Sequence, residues 1–492
     1  MKRLFALFTL LAFCLTLPAT AFAAGTAGAR SAARALTAAP RGAAPEGQVI
    51  YVGNEDVTKG GYWTTDSDGS VTPYTGEGTP ADKYIHYDAG ANTLTLCNAT
   101  IKESVSMGTN TYIAGAAIGV LNQNGAAELT ITLEGTNTIA EVGKGIDVLA
   151  SSTGEATLTI TGENGGSLNA SGFPNQGIKV QSNSSDATLS IENAEVEAAA
   201  TSAAGDGVLV QAGDSSDASL SVEGGSLTAT GTGSNPGIRF QFGSGVSDSG
   251  TPSLTVSNNA LVRASGYGGG IVSNSGSVTP SGEGIVFDNG TGTVYGKVTL
   301  QKDLAIGKGE SLTIPDDASL TIPQDTTLTN AGAVTVETNG TLTNNGTINN
   351  SGTVTNSGTL ENTNGTINNS GTLTGTIGGN VPPSITTASL PAGTVGTAYT
   401  ANLAADNSPT GWSVTGDSLP DGLTLDKSTG VISGTPTTQG TSTFTVTATN
   451  SGGSHSKEFT LEIKTVAVTG VTLNNSKMDL FVGDSGQLTA TV

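Results

Sequence analysis

Gly177-Ile178-Lys179-Val180-Gln181, Gly207-Val208-Leu209-Val210-Gln211 and Gly237-Ile238-Arg239-Phe240-Gln241 repeat one five-residue phrase at 30-residue intervals. Earlier versions open at Ala117-Ile118 and Gly145-Ile146, and fainter units begin at Gly270 and Gly284. Each period carries a second alternating segment led by Leu129, Leu158, Leu189, Leu220 and Leu254. A third apolar beat follows at Ile139, Leu168, Val196, Leu227 and Leu261. Three short strands per repeat cannot enclose a core, because each offers only about two inward side chains. Stacking the repeats aligns Ile178, Val208 and Ile238 into one apolar column, and Leu189, Leu220 and Leu254 into another. Every strand then finds its hydrogen-bond partners in the coils above and below, which is the logic of a solenoid. The pattern predicts an all-β chain built on a parallel β-helix, with glycine opening each coil where the chain must turn sharply.

The period then shortens. Leu304, Leu312, Leu320 and Leu328 are spaced by eight. Hexads follow from Gly340-Thr341-Leu342-Thr343-Asn344-Asn345, with further units opening at Gly346, Gly352, Gly358, Gly365 and Gly371. Three octads or three hexads make one shorter coil, so residues 117–380 read as one solenoid whose loops are trimmed toward the C-terminal side. Asparagines recurring at hexad ends can stack as amide ladders along the axis. The alternative for 330–380 is a disordered Asn/Gly/Thr linker.

Outward from the solenoid, residues 46–116 hold most of the aromatics, including Tyr51, Tyr62, Trp63, Tyr84, Tyr87 and Tyr112, and read as an N-terminal β cap. Residues 24–45 read as a flexible Ala/Gly/Pro leader. Lys2 and Arg3, the apolar run Leu4 to Leu17, and Ala21-Phe22-Ala23 have the layout of a signal peptide cleaved near Ala23. The run is too short for a spanning helix, so the expectation is a secreted or cell-surface protein with no integral membrane segment. Cleavage would leave one cysteine, Cys97, in an alternating segment where packing is the simplest role.

Seventy of the 492 residues are glycine, only 12% are charged, and the net charge is −22. A chain this acidic has no basic stripe for phosphates, which excludes nucleic acid as a partner class. Pro382-Pro383 ends the solenoid rhythm. Beyond it come Gly396-Thr397-Ala398-Tyr399, Trp412-Ser413-Val414, Leu419-Pro420-Asp421-Gly422-Leu423-Thr424-Leu425-Asp426, Ser428-Thr429-Gly430-Val431-Ile432-Ser433-Gly434-Thr435-Pro436 and Phe444-Thr445-Val446-Thr447-Ala448-Thr449-Asn450. In that order they resemble the bacterial putative-Ig, dystroglycan-type cadherin-like domain, over about 382–464. The resemblance implies an Ig-like/cadherin-like β-sandwich, and the alternating strands around Trp412, Phe444 and Phe459 agree with one. Residues 467–492 resemble the opening strands of a group 2 bacterial Ig-like domain and read as an incomplete one. The Gly-start repeats over about 85–380 are similar to those of secreted polysaccharide-binding β-helix proteins.

Candidate chemistry lies on the outer face of the first strand in each coil. Its third position carries Asp147, Lys179, Leu209 and Arg239; its fifth carries Gln181, Gln211, Gln241 and Asn274. Glycoside cleavage needs two carboxylates flanking one bond. The acids here, such as Glu192 and Glu223, are scattered, and His86 and His455 lie outside the coils, so no enzyme activity is expected. Stacked amides can satisfy one another and stiffen the stack. Alternatively, Gln181, Gln211 and Gln241 with Lys179 and Arg239 can meet sugar hydroxyls. The expectation is a non-catalytic protein that presents a face for adhesion or for a polysaccharide or host-cell glycan. The alternatives are a β-helix lyase or hydrolase and a purely structural stalk. No metal or other cofactor is expected. Calcium, which the cadherin-like kinship would allow, needs six to eight clustered oxygens, and no acidic cluster supplies them.

Overall fold

The computed structural model describes residues 42–491, apart from 174, 202–203, 244–249, 417 and 466–469. The signal peptide, its cleavage site and most of the leader lie outside the described residues. Every described regular element is a β-strand.

The first sheet stacks Ala116–Asn122, Lys144–Ala150, Ile178–Ser182, Val208–Ala212, Ile238–Phe242 and Ile271–Ser273 in parallel, one strand per coil. Its inward columns are Ile118-Ile146-Ile178-Val208-Ile238-Ile271 and Val120-Val148-Val180-Val210-Phe240. The second face aligns Leu129, Leu158, Leu189, Leu220 and Leu254 in register. These are the columns the repeat implies, and burying them against each other is what makes the coils stable together.

The third face departs from the sequence pattern at both ends. Leu168, Val196 and Leu227 align, but their partners are Asn137 and Val262 rather than Ile139 and Leu261. The corner before this face has a variable length, spanning Gly135 alone in one coil, Asn193-Ala194 in another and Asn258-Asn259-Ala260 in a third. Spacing along the chain therefore slips by a residue or two against the true register. Asn137 is buried and fully used, accepting from the Ala99 N–H and donating to the Glu134 and Ser167 carbonyls. Left-handed residues make these corners, among them Gly135, Asn193 and Asn258.

The coil-opening glycines have a different cause from the one expected. Gly177, Gly207 and Gly237 are not left-handed; a Cβ there would lie 2.5–2.7 Å from backbone atoms of the third-face strand. Close approach of two chains, not a sharp turn, demands glycine.

At the N-terminal end, Gln48–Val52 pairs antiparallel with Ala116–Asn122 and buries Ile50 and Val52. The antiparallel run Gly61–Thr65, Val71–Pro73, Tyr84–Asp88, Thr93–Cys97 ends in a strand parallel to Ala127–Val142. Together they cover edges that would otherwise offer unpaired backbone groups. Cys97 lies on the outer side of its strand, half-buried, and its thiol is pushed up by burial and then by Glu134.

The solenoid is not uninterrupted. Ser281–Asp288 stacks on the third face of the last long coil, so Gly284 opens no new coil. The chain then reverses through Asn289 and Gly290, both at positive φ, into the antiparallel strand Thr291–Tyr295, an Asn-Gly hairpin turn. A second apolar core begins there. Its coils are 17–24 residues long by register, with one hexad or octad per face. Residues 330–380 are strands of this stack rather than a linker. The amide ladder forms. Asn330 donates to Asn350 at 2.7 Å, Asn350 to Asn369 at 2.6 Å and Asn344 to Asn362 at 2.7 Å, all buried. Each also donates to a backbone carbonyl of the next coil, Thr353, Thr372 and Thr366 respectively. Tight hexad corners turn these carbonyls toward the core, and the asparagines satisfy them.

The C-terminal sandwich has its core in Tyr399, Trp412, Ile432, Phe444, Val446, Phe459 and Leu461. Its strand Gly453–Lys464 runs parallel to Thr366–Asn369, so one sheet passes from the solenoid into the sandwich. Gly453 allows the contact, since a Cβ there would overlap the Ile367 carbonyl. Residues 470–491 carry exposed side chains and one two-residue strand pair, Thr472–Leu473 with Ala490–Thr491.

Candidate functional site

The outer face of the first sheet places Asp147, Lys179, Leu209 and Arg239 in one row, and Leu149, Gln181, Gln211 and Gln241 in the next. One strand spacing separates successive members, so Lys179 and Arg239 stand roughly 9–10 Å apart along the stack. The row does not act as one surface. Arg239 turns to its own surroundings, its Nε donating to Asp206 Oδ1 at 3.0 Å and its Nη2 to Asn235 Oδ1 at 3.0 Å. Burial raises the Asp206 carboxyl above its usual range, opposed by Arg239 and Gln176. Leu209 separates this pair from Lys179.

A strap covers part of the outer face of the first two coils. Residues 102–115 fold back over them, and Val105 and Ile113 form a small apolar core with Leu121 and Leu149. Ile113 fills the space above Gly119, whose Cβ would meet it at 2.7 Å. At the end of this strap Tyr112 is 55% exposed. Beside it opens a cavity of about 530 Å3 whose lining includes Tyr112, Asn124, Ser152, Lys179, Gln181 and Asn183.

Stacked turns build the wall. Asn183 Nδ2 donates to the Ser151 carbonyl at 2.9 Å and its Oδ1 accepts from Gln181 Nε2 at 2.6 Å. Ser184 donates to the Ser152 carbonyl at 2.7 Å, and Ser152 to that of Gln123. Gln181 thus bonds within its own coil rather than to Gln211. Burial pulls Lys179 below the usual lysine range; Asp147 pushes it back up and Lys144 adds to the lowering. Asp147 is fully buried and engaged by Lys144 Nζ at 2.5 Å.

Of the residues predicted from sequence, the structure brings Lys179 and Gln181 into one cavity. Gln211 and Gln241 continue the row, and Arg239 belongs to an ion pair. Sequence reasoning missed Tyr112, Asn124 and Asn183. The five-residue phrase stops before Asn183, and Tyr112 reaches the face only through the strap.

Among the described residues, no three His, Cys, Asp or Glu side chains stand together to hold a metal. Asp426, a turn residue in the sandwich, accepts from the Ser428 hydroxyl and from the Ser428 and Thr429 amides, which holds its carboxyl down to about 2. No described helix is long and apolar enough to cross a membrane.

The sandwich around Trp412 and Phe444 also has known relatives. Residues 382–464 match the family described as "Putative Ig domain". This Ig-like domain is the module that shares a sheet with the solenoid. No curated protein matches the chain. Among solved structures, two proteins of Bacteroides fragilis NCTC 9343 are similar over a limited stretch. One is described as a putative alpha-galactosidase, at 31% identity, and the other as a putative alpha-galactosidase/melibiase, at 28%. Each match covers 17% of this chain and 17% of the other, with a TM-score of 0.16. The chain thus spans about one sixth of those proteins, and neither their fold nor their activity carries over to it.

Proposed function

We propose that this is an exported, non-catalytic bacterial surface or secreted protein whose solenoid binds polysaccharide or cell-surface glycan. The observation that carries the reading is the cavity beside Lys179 and Gln181. It combines an exposed tyrosine ring with amides and hydroxyls held by stacked turns, the mix of apolar face and fixed polar groups that a sugar ring needs. Two acids near this face, Asp147 and Asp206, are each held by a basic side chain, which supports a binding role over acid/base cleavage. The Ig-like domain would act as a rigid continuation of the solenoid rather than as a spacer on a flexible linker.

A glycan array probed with the purified full chain tests this. Binding that is weakened by Tyr112→Ala supports the reading. Cleavage of any polysaccharide on a broad panel would replace it with a lyase or hydrolase. A second reading, a structural stalk, is favoured by the buried asparagine ladder and the sheet continuous into the Ig-like domain. An array without any bound glycan would establish the stalk in its place.

A further inference from the structure

Resting on that reading, we propose that the cavity beside Lys179 selects a single acidic sugar, a uronic acid unit within or at the end of an otherwise neutral glycan. Lys179 is the only charged side chain among the residues lining the cavity. Among the described residues it holds no ion pair. The nearest acid in register, Asp147, is fully buried and already bound by Lys144 at 2.5 Å. A largely buried lysine therefore borders a cup whose other lining residues are uncharged, and its ammonium makes no hydrogen bond among the described residues. A sugar carboxylate supplies the missing partner, and a charge-assisted bond of that kind is stronger than one to a hydroxyl.

The rest of the cavity fits the remainder of such a ring. Tyr112 offers an exposed aromatic face for the C–H side of a pyranose. Asn124, Gln181 and Ser152 present amide and hydroxyl groups at its edge, and the hydrogen bonds between stacked turns fix the wall before a ligand arrives. A volume of about 530 Å3 lies within the range of small-ligand clefts. The restriction to one acidic unit follows from charge. The chain carries a net −22 and repels a polyanion as a whole. One lysine in a neutral cup can reward one carboxylate, but not a run of them.

The test is calorimetric titration of the full chain with two trisaccharides that differ in one group, one ending in glucuronate and the other in glucose. Wild type, Lys179→Met and Tyr112→Ala are compared, with melting curves to verify folding. Lys179→Met keeps the apolar stem, and Tyr112 is exposed, so both variants should fold. The expected result is a preference for the acidic trisaccharide of at least about tenfold, the ratio that ~1.4 kcal/mol represents. Lys179→Met should abolish this preference, raised salt should weaken it, and Tyr112→Ala should weaken binding of both sugars. Equal binding of both sugars that Lys179→Met leaves unchanged, but that Tyr112→Ala weakens, would overturn the acidic specificity while leaving the glycan-binding reading intact. If neither sugar bound, or if both variants bound like wild type, the assignment of an acidic sugar to this cavity would be overturned, and the glycan array would decide separately whether the solenoid binds glycan elsewhere.

Discussion

Replacing Asn350 with alanine breaks three hydrogen bonds at once, two of them buried and one part-buried. Its Nδ2 donates to Asn369 Oδ1 and to the Thr372 carbonyl, and its Oδ1 accepts from Asn330. Asn330 keeps its bond to the Thr353 carbonyl, so its loss is partial. The other two partners lose their donor, Asn369 Oδ1 as a buried acceptor and the Thr372 carbonyl as a part-buried one, at ~1–3 kcal/mol each with the second toward the low end. With the small cavity left by the side chain, the expected cost is about 3–5 kcal/mol. In a repeat stack such a loss is local, because each coil leans only on its neighbours. Amide hydrogen exchange reads it directly. Protection in Thr347–Asn350, Thr366–Asn369 and Thr372–Thr374 should fall by about a hundredfold or more, at ~1.4 kcal/mol per factor of ten, while the Ala116–Ile271 strands stay unchanged. Asn350→Leu restores volume but not hydrogen bonds and should still lose most of the protection. Thr355→Ala, at an exposed position, should shift exchange by no more than ~0.5 kcal/mol. If Asn350→Ala left protection within about threefold of wild type, a difference of ~0.6 kcal/mol, the ladder would not be what satisfies these corners.

His455 is half-buried in the sheet shared with the solenoid, and its Nδ1 accepts from the Ile385 N–H at 2.9 Å. Burial, then the Lys457 charge, hold it below 6.5. The unfolded chain therefore takes up this proton first, so its contribution to stability is complete above about pH 6.5 and is lost as pH falls below that value. In melting curves between about pH 7.5 and 5, His455→Gln should remove this part of the slope, and parallel profiles would refute it. Asp206 has the opposite sign. Burial raises its native value above 3.8 despite Arg239, so its contribution is complete below about pH 3.8 and declines as pH rises through the raised value. At neutral pH, Asp206→Asn should hold or raise Tm, whereas Arg239→Ala, which strands the buried carboxylate, should cost ~2–3 kcal/mol after discounting for the partly exposed guanidinium. A Tm lowered more by Asp206→Asn than by Arg239→Ala would refute the ordering.

The legible part of this protein is the part governed by period. Columns such as Ile178-Val208-Ile238 follow from spacing alone, because an inward position on one coil must meet an inward position on the next. The hexad asparagines are legible for the same reason. Corners resist such reading. Between Glu134 and Thr136, and again between Ser257 and Leu261, corners of unequal length shift the third face, so Asn137 and Val262 take the places expected of Ile139 and Leu261.

The site is legible only in part. Lys179 and Gln181 could be named from the repeated phrase, since alternation sends positions three and five outward. Their partners could not. Tyr112 arrives through a strap that packs Ile113 over Gly119, and Arg239 is drawn away by Asp206, a residue in the corner before the phrase.

By itself, then, the sequence determined the all-β character, the stacked coils, the asparagine ladder and the Ig-like domain, because each rests on local alternation, regular spacing or an ordered motif. Only the tertiary structure decided three things. It split the stack into two cores at the Asn289-Gly290 hairpin, joined the last coil to the Ig-like domain through Gly453, and set Lys179, without an ion pair among the described residues, beside a cavity with an otherwise uncharged lining. All three depend on contacts between residues far apart in the chain, where the spacing of a repeat has no hold.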